Sequence, residues 1–545
     1  MHSKRYLKLT LSLCLLPKLA SAVALPPLLE GPYRVGHTSI TLQDLSRAPS
    51  ILIPDEIYNT YSPLVQNEYR NRGRRFVVDM WYPTQATATT PLAEYTFNHT
   101  VESDMPPFMP APTNVVECNN SNPLLGPIAK TLLNTPYASP PPPAGLPPLP
   151  QVVCPAQFNI NFYSNQAVEN VALAPGAFPV IVYSHGSSGQ AIEFYKVAER
   201  LANNGFIVAA LNHANGFINQ GVADYLAPNI QSIDFIYNGD IFFTVPPDNI
   251  ADINFLVASL VARNVSDTNI PSFQNHIDVN QFGAVGFSLG ACNTVILAGG
   301  STDLNIAPNP RIKAIMPYED CANATTEAPA SSDENIRSIT LPVFTIYGDS
   351  SYARNRVFSL LPSQQAPKYE VILKNSTHQL DSGFCGFFDA VFTALGQNPL
   401  LVQPLDTIVF GYFANNNFGP GTLLYDCQKT SIPPNYYTLT NTFNSVVVPE
   451  WSTNTSYQQS VAFYYGGTIP TWVFDIPPGN FPLYLDEDKV SQFLAFYGTA
   501  FFKRYLNNDV SYDNYLKTEF TQKFMPENRM TKCFQGVCEK TNMPS

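Results

Sequence analysis

Gly286-Phe287-Ser288-Leu289-Gly290 is the stretch whose reading decides the fold. The apolar run Gln281-Phe282-Gly283-Ala284-Val285-Gly286-Phe287 leads into it, and Leu289 to Ala298 (LGACNTVILA) leads out. The first has the composition of a buried strand, the second that of a small-residue helix packed on a sheet. A sharp bend between them lifts a serine hydroxyl clear of the backbone, and glycines two residues to either side remove the side chains that would collide there. A serine hydroxyl is a poor nucleophile at neutral pH unless a base takes its proton. The carbonyl it attacks also needs hydrogen-bond donors for its developing oxyanion. Such a turn therefore demands a base, an acid and a donor loop elsewhere in the chain.

In folds built on this turn the order along the chain is serine, acid, histidine. Of the seven histidines only His378 follows Ser288, so the base is chosen by elimination. His378 sits in the polar stretch Lys374-Asn375-Ser376-Thr377-His378-Gln379, just after the apolar run Tyr369 to Leu373. For the acid, Leu341 to Tyr347 (LPVFTIY) reads as a buried strand broken by Gly348-Asp349-Ser350-Ser351. That leaves Asp349 at the end of a strand, where ligands gather in open α/β sheets. The rival is Asp320, or Glu319 before it, after the strand-like Ile312 to Pro317. Upstream, Phe178 to Ser184 runs into His185-Gly186-Ser187-Ser188-Gly189 and then a helical pattern from Ala191 to Leu201. A glycine-rich exit from a strand suits an oxyanion loop, and the donors predicted are the N–H groups of Ser187 and Leu289. His185 then has a structural part in that loop. His213, after the strand-like Phe206 to Leu211, is predicted to hydrogen-bond behind the site rather than to catalyse.

The ordered segments RRFVVDMWYPT (Arg74 to Thr84), FPVIVYSHGSSG (Phe178 to Gly189), LANNGFIVAALNHANGF (Leu201 to Phe217), FGAVGFSLGA (Phe282 to Ala291), RIKAIMPYED (Arg311 to Asp320), LPVFTIYGDSS (Leu341 to Ser351) and STHQL (Ser376 to Leu380) resemble the α/β-hydrolase superfamily. Within it they are most similar to the predicted dienelactone hydrolases and the plasma-type platelet-activating-factor acetylhydrolases. The resemblance spans about half the chain. It implies a mostly parallel central sheet flanked by helices, and it maps the family's nucleophile and base onto Ser288 and His378. The acetylhydrolases imply an acid near Asp320, whereas polyester-hydrolase and cutinase-like relatives imply Asp349. Esters of lipid-like or short-to-medium acyl groups, including phospholipid sn-2 esters, are the substrates implied; polyester or amide cleavage is the enzymatic alternative.

The formal charge of -12 and the absence of a basic stripe argue against nucleic acid as a partner. Lys4, Arg5 and Lys8 precede the apolar Leu9 to Leu16, and Ala20-Ser21-Ala22 is a small-x-small site, so residues 1–24 read as an export signal. An eight-residue apolar core is too short to span a bilayer. The expected setting is secreted or periplasmic, with no transmembrane span. Eight cysteines remain beyond the signal, and in an exported chain they predict disulfides. Proximity favours Cys118 with Cys154, Cys292 with Cys321, Cys385 with Cys427 and Cys533 with Cys538. Cys292 has the alternative of a packed free thiol. There is no CxxC, so zinc is not supported and no metal is expected, and a serine mechanism of this kind needs no cofactor.

Residues 25–382 are expected to form the hydrolase core. Residues 25–73 act as a lead-in, Arg74 to Tyr82 is the first firm strand, and a proline-rich surface excursion covers 83–175. Asp248 to Val261 has the apolar spacing of a helix flanking the sheet. Residues 383–488 are dense in aromatics, Trp451 and Trp472 among them, and are expected as a cap or lid; residues 489–545 carry the last helix and a disulfide-closed tail. The motifs together predict a serine ester hydrolase working through an acyl-enzyme. A surface-binding protein on a hydrolase scaffold that has lost turnover is the competing class.

Overall fold

The computed structural model describes residues 24–27, 29–47, 63–71, 73–86, 90–97, 115–117, 151–153, 160–186, 190–213, 241–319, 332–349, 356–364, 366–374, 376, 457–462, 471–476 and 487–541. In chain order the elements are β1 (Arg34–Asp44), α1 (Pro63–Asn71), β2 (Arg74–Thr84), β3 (Leu92–Phe97), β4 (Val115–Glu117), β5 (Gln151–Val153), β6 (Ile160–Glu169), β7 (Phe178–Ser184) and α2 (Tyr195–Asn203), the last entered through a 3-10 turn. There follow β8 (Ile207–Leu211), α3 (Ile241–Val265), β9 (Ile277–Phe287), α4 (Leu289–Gly299), β10 (Ile312–Tyr318), α5 (Asp333–Arg337), β11 (Val343–Gly348), α6 (Arg356–Leu360) and β12 (Lys368–Leu373). The C-terminal part adds β13 (Tyr457–Ala462), β14 (Thr471–Ile476), α7 (Glu487–Tyr505), α8 (Thr518–Phe524), β15 (Arg529–Phe534) and β16 (Val537–Lys540).

Among the described residues one sheet carries twelve strands in the order β16-β15-β12-β11-β10-β9-β7-β8-β2-β1-β6-β3. The block from β8 to β12 is parallel throughout. Parallel strands covered on both faces need near-continuous apolar sequence. Phe178–Ser184 and Ile207–Leu211 have it, and both are buried at every position. Alternation then divides the side chains between two layers. Ile181 and Tyr183 face a core shared with Val197 and Leu201 of α2 and with Phe493, Tyr497 and Phe501 of α7. Val180 and Val182 face the opposite core, with Ile253, Leu256 and Leu260 of α3, Val295 and Ile296 of α4, and Ile336 of α5. A mostly parallel sheet between two helical layers, with β9 delivering the serine turn between β7 and β10, is the α/β-hydrolase fold. The predicted strand and helix boundaries in this block hold to within a few residues; α3 is longer than expected at both ends.

The departures lie at the sheet's edge. Arg74 to Tyr82 is the second strand, because β1 pairs with it antiparallel from Arg34↔Thr84 to Asp44↔Arg74. The RVGHTSITLQD sequence of β1 hid this, since two of its buried positions are the polar His37 and Thr38. The proline-rich stretch begins and ends in sheet: β6 pairs parallel with β1, and β3 antiparallel with β6. Between them β4 and β5 pair with each other, while Cys118 and Cys154 lie outside the described residues. So do residues 1–23, Cys385, Cys427 and the aromatic stretch 383–488, apart from the β13–β14 hairpin and the start of α7. At the other edge β15 joins β12 antiparallel and β16 folds back on it, with the predicted Cys533–Cys538 disulfide across the hairpin. Among the described residues no helix is long and apolar enough to cross a membrane.

His37 ties three edge strands together. Its Nδ1 lies 3.0 Å from Glu169 Oε2 on β6 and its Nε2 3.3 Å from Asp79 Oδ1 on β2, with the ring buried. Burial alone would lower the imidazole pKa, but the two carboxylates more than offset it and raise it to about 9. A folded-state pKa above the unfolded one gives stability that is complete below about pH 6.5 and lost as pH rises through 9. Urea unfolding at pH 6.5 and 9.5 is expected to show the parent losing roughly 3 kcal/mol more than His37→Gln over this window. Parallel pH profiles for the two proteins would refute the assignment.

Candidate active site

Ser288 occupies the single residue between β9 and α4 and has φ 50° and ψ -114°. A non-glycine residue in that region costs on the order of 1–3 kcal/mol and persists only where its surroundings enforce it. Here its N–H donates to the Tyr318 carbonyl at 3.2 Å and its carbonyl accepts from the N–H of Ala291 at 2.9 Å. The flanking glycines account for the rest. A Cβ on Gly290 would stand 1.9 Å from the Ser184 carbonyl oxygen, and one on Gly286 would stand 2.0 Å from the Gly290 oxygen. Helix α4 therefore starts with its backbone directly against the ends of β7 and β9. Gly186 completes the contact from the other side, since a Cβ there would lie 2.6 Å from Phe287 Cδ1 and 3.2 Å from Ser288 Cβ. The His185–Gly186 exit of β7 thus runs past the serine.

Register aligns the strand ends. Phe287 of β9 lies beside Tyr318 of β10, and Tyr318 beside Ile346 of β11. Leu289 opens α4, so its N–H has no acceptor within the helix. Glu319 leaves β10 with φ 49°, fully buried, and its Oε1 accepts from the N–H of Gly348 at 2.5 Å. Asp349 follows; its N–H donates to the Leu373 carbonyl at 2.9 Å and its Oδ2 accepts from Lys374 Nζ at 2.7 Å. Ser288, Leu289, Glu319 and Asp349 therefore gather at the C-terminal end of the parallel strands. Ser187, Asp320 and His378 lie outside the described residues.

Behind the serine turn is a buried polar network. His213 Nε2 lies 2.8 Å from Ser184 Oγ, which also accepts from Asn293 Nδ2 of α4 at 3.0 Å. The backbone N–H of His213 donates to His185 Nε2 at 3.0 Å, and His185 Nδ1 lies 2.7 Å from the Gly186 carbonyl. His213 Nδ1 faces Asp252 Oδ2 at 3.6 Å, slightly beyond hydrogen-bond length. Asp252, on α3, is gripped by the Arg74 guanidinium through two bonds of 2.6 and 2.8 Å. Burial would raise the Asp252 carboxyl, but His213 and Arg74 outweigh it and hold it far below the usual carboxylate range. Burial lowers the pKa of both imidazoles, that of His185 to about 3 with His213 adding to the effect. Both rings are neutral at physiological pH.

The predicted structural part of His185 and the hydrogen-bonding part of His213 agree with this geometry. Arg74, Asp252 and Asn293 were not singled out from the sequence. Their one signal was a charge in the apolar stretch DNIADINFLVASLV, where an unpaired carboxylate could not be buried. Cys292, on α4, is disulfide-bonded rather than a packed free thiol.

Comparison with known proteins gives a family-level match over part of the chain. The family described as Platelet-activating factor acetylhydrolase, isoform II matches residues 156–222, a stretch that holds β7, the His185 loop, α2 and β8 and ends before Ser288. Among solved structures the chain is similar to a ferulic acid esterase from Streptomyces cinnamoneus, at 15% identity, with 88% of this chain and 91% of that chain covered and a TM-score of 0.40. No curated protein matches. The chain has a hydrolase-like α/β fold.

The packing at Gly290 makes a sharp prediction. Gly290→Ala must push backbone against backbone, so it is expected to cost about 3 kcal/mol or more in chemical denaturation. Gly498→Ala on α7 is the control, since its Cβ would meet nothing nearer than Met316 Sδ at 3.5 Å. It is expected to be neutral or to stabilise by up to about 1 kcal/mol through helix propensity. Equal effects at the two positions would contradict the close approach.

Proposed function

We propose that this protein is an exported serine ester hydrolase, with residues 1–24 removed as a signal. In this reading Ser288 is the nucleophile, His378 the base, Asp349 the carboxylate that orients the base, and the N–H groups of Ser187 and Leu289 the oxyanion donors. The observation that carries it is the Ser288 backbone itself, a strained conformation held at the mouth of a parallel sheet. The N–H of Leu289, first in α4 and so without an acceptor inside the helix, supports its part as a donor. Asp349 is favoured over Asp320 by its place at the end of β11, with its backbone bonded to Leu373 and the preceding Gly348 held by Glu319. In the sequence His378 follows Leu373 by five residues.

The reaction proceeds in two halves. The Ser288 hydroxyl passes its proton to His378 as Oγ adds to the ester carbonyl, placing the negative charge on the carbonyl oxygen, where the two N–H groups meet it. The C–O bond to the leaving alcohol then breaks, and His378 returns the proton to that alcohol, leaving an acyl-enzyme. Water gives a proton to His378 as it attacks the acyl carbon, and collapse releases the acid while the proton goes back to Ser288 Oγ. Asp349 stabilises the transient imidazolium throughout. Lipid-like or short-to-medium acyl esters are the substrates this reading favours.

A fluorophosphonate probe is expected to label Ser288, and p-nitrophenyl esters from C2 to C16 are expected to be turned over. Ser288→Ala and His378→Asn should each lower kcat at least about a thousandfold. Asp349→Asn should lower it by about 100-fold or more, against less than threefold for Asp320→Asn. A folded protein whose Ser288 takes no label would end the proposal, and a larger loss from Asp320→Asn would move the acid to β10.

A further inference from the structure

The exits of β9, β10 and β11 are joined through one peptide unit. The Tyr318 carbonyl accepts the N–H of Ser288 at 3.2 Å, and on the other side of the same unit the N–H of Glu319 donates to the Ile346 carbonyl at 2.8 Å. A peptide unit is planar, so the serine turn and the end of β11 are fixed relative to each other through it. With Tyr318 beside Ile346, the next rung of a regular parallel ladder runs from the N–H of Gly348 to the main-chain carbonyl of Glu319. Glu319 instead leaves the strand with φ 49°, and its side chain takes that rung, Oε1 accepting the Gly348 N–H at 2.5 Å.

Two features set this residue apart. It is fully buried, where a carboxyl is retained only against partners. Its backbone lies in the left-handed region, where glycine is unstrained and a residue with a side chain is not. Glycine could turn the chain here but could not supply the rung, so the side chain is what the strained position gains. What the rung holds in place is the strand end that carries Asp349. On the far side of β11 the Asp349 N–H donates to the Leu373 carbonyl at 2.9 Å, and Asp349 Oδ2 accepts from Lys374 Nζ at 2.7 Å. The Lys374 N–H is held in turn by Oδ1 of the buried Asn528 at 2.9 Å. Asp349 is thus located from two sides, by β12 directly and by Glu319 through Gly348.

We propose that Glu319 is a positioning residue: by accepting the Gly348 N–H it sets the place of the Asp349 carboxylate relative to Ser288. This rests on the ester-hydrolase reading above, in which Asp349 orients the base. Glu319 acts as a hydrogen-bond acceptor of a given reach, and its charge is not what the part requires. Its loss frees the β11 exit and weakens stabilisation of the imidazolium, while Ser288 keeps its own bond to Tyr318 and substrate binding is left in place.

The test separates reach from charge on a p-nitrophenyl ester, with rates taken per Ser288 labelled to completion by a fluorophosphonate so that misfolded protein does not count. Glu319→Gln keeps an acceptor of the same length and should hold kcat within about threefold of the parent. Glu319→Asp keeps the carboxyl but is one methylene short, and Glu319→Gly removes the acceptor on a backbone that suits glycine. Each should lower kcat about 10-fold or more, with KM moving less than about threefold. Added to Asp349→Asn, Glu319→Gly should cost less than about threefold further, because a residue that acts only through Asp349 has nothing left to position. A Gln variant as impaired as the Gly variant would overturn the proposal, as would a Gly loss undiminished in the Asp349→Asn background. A second measurement needs no activity: hydrogen exchange at the Gly348 amide should be about 10-fold faster or more in Glu319→Gly than in the parent, and parent-like in Glu319→Gln. Unchanged exchange in the Gly variant would also overturn it. A parent protein inert to esters and unlabelled at Ser288 would sink the hydrolase reading, and this part for Glu319 with it, whatever the exchange shows.

Discussion

There is no room for one carbon atom between Gly290 and the carbonyl of Ser184, and the architecture around the serine follows from that contact. Helix α4 can begin only where its first turn lies flat on the end of β7, which leaves a single residue to reverse direction from β9. That residue has to take a conformation that side chains ordinarily avoid. The cost is borne because the layers behind it are closely packed: Phe502 of α7 covers Gly283 on one face, and Val295 and Ile296 of α4 meet the apolar face of α3 on the other. Strain at one serine is thus held by a helical layer on each face of the sheet.

Polar burial is the second theme, concentrated where the parallel block meets the antiparallel edge. His37, Asp79, Asn212, His213, Asp252 and Arg74 lie at the ends or along the faces of β1, β2, β8 and α3, and all six are buried. Buried charges are tolerable only when each has its partner. Asp79 takes hydrogen bonds from Ser39 and Asn212 beside its contact with His37; Asp252 takes two from Arg74. Two separate carboxylates therefore stand behind two adjacent residues of one loop, and Arg74 belongs to the strand that carries Asp79. The antiparallel edge thereby bears directly on the neighbourhood of the serine.

Much of this was legible in the chain. The apolar runs of β7, β8, β9, β10 and β11 are unambiguous because both faces of each are covered, and the glycines around Ser288 announce a backbone crossing that admits nothing larger. The place of Asp349 at the end of β11 was readable from the break after Tyr347. β1 was not, because a strand whose buried positions include His37 and Thr38 is stabilised by partners on other strands, and periodicity sees only hydrophobicity. β3 and β6 were obscured by the prolines and polar residues around them. The part played by Asn293, the fifth residue of a mostly apolar helix, depends on Ser184 lying opposite, more than a hundred residues earlier. A side chain's use as an anchor is a property of pairs, and one sequence gives the pairs no mark.

The strand order has a bearing on how the chain is made. β12 pairs on one side with β11, which precedes it closely, but its other neighbour is β15, so Lys368 waits for Cys533. During synthesis the parallel block can assemble while its outer strand still offers a row of unsatisfied amides, the kind of margin along which nascent chains stick to one another. The final hairpin is thus a late-arriving cover, and truncation within it would expose a ready template for aggregation on an otherwise finished sheet.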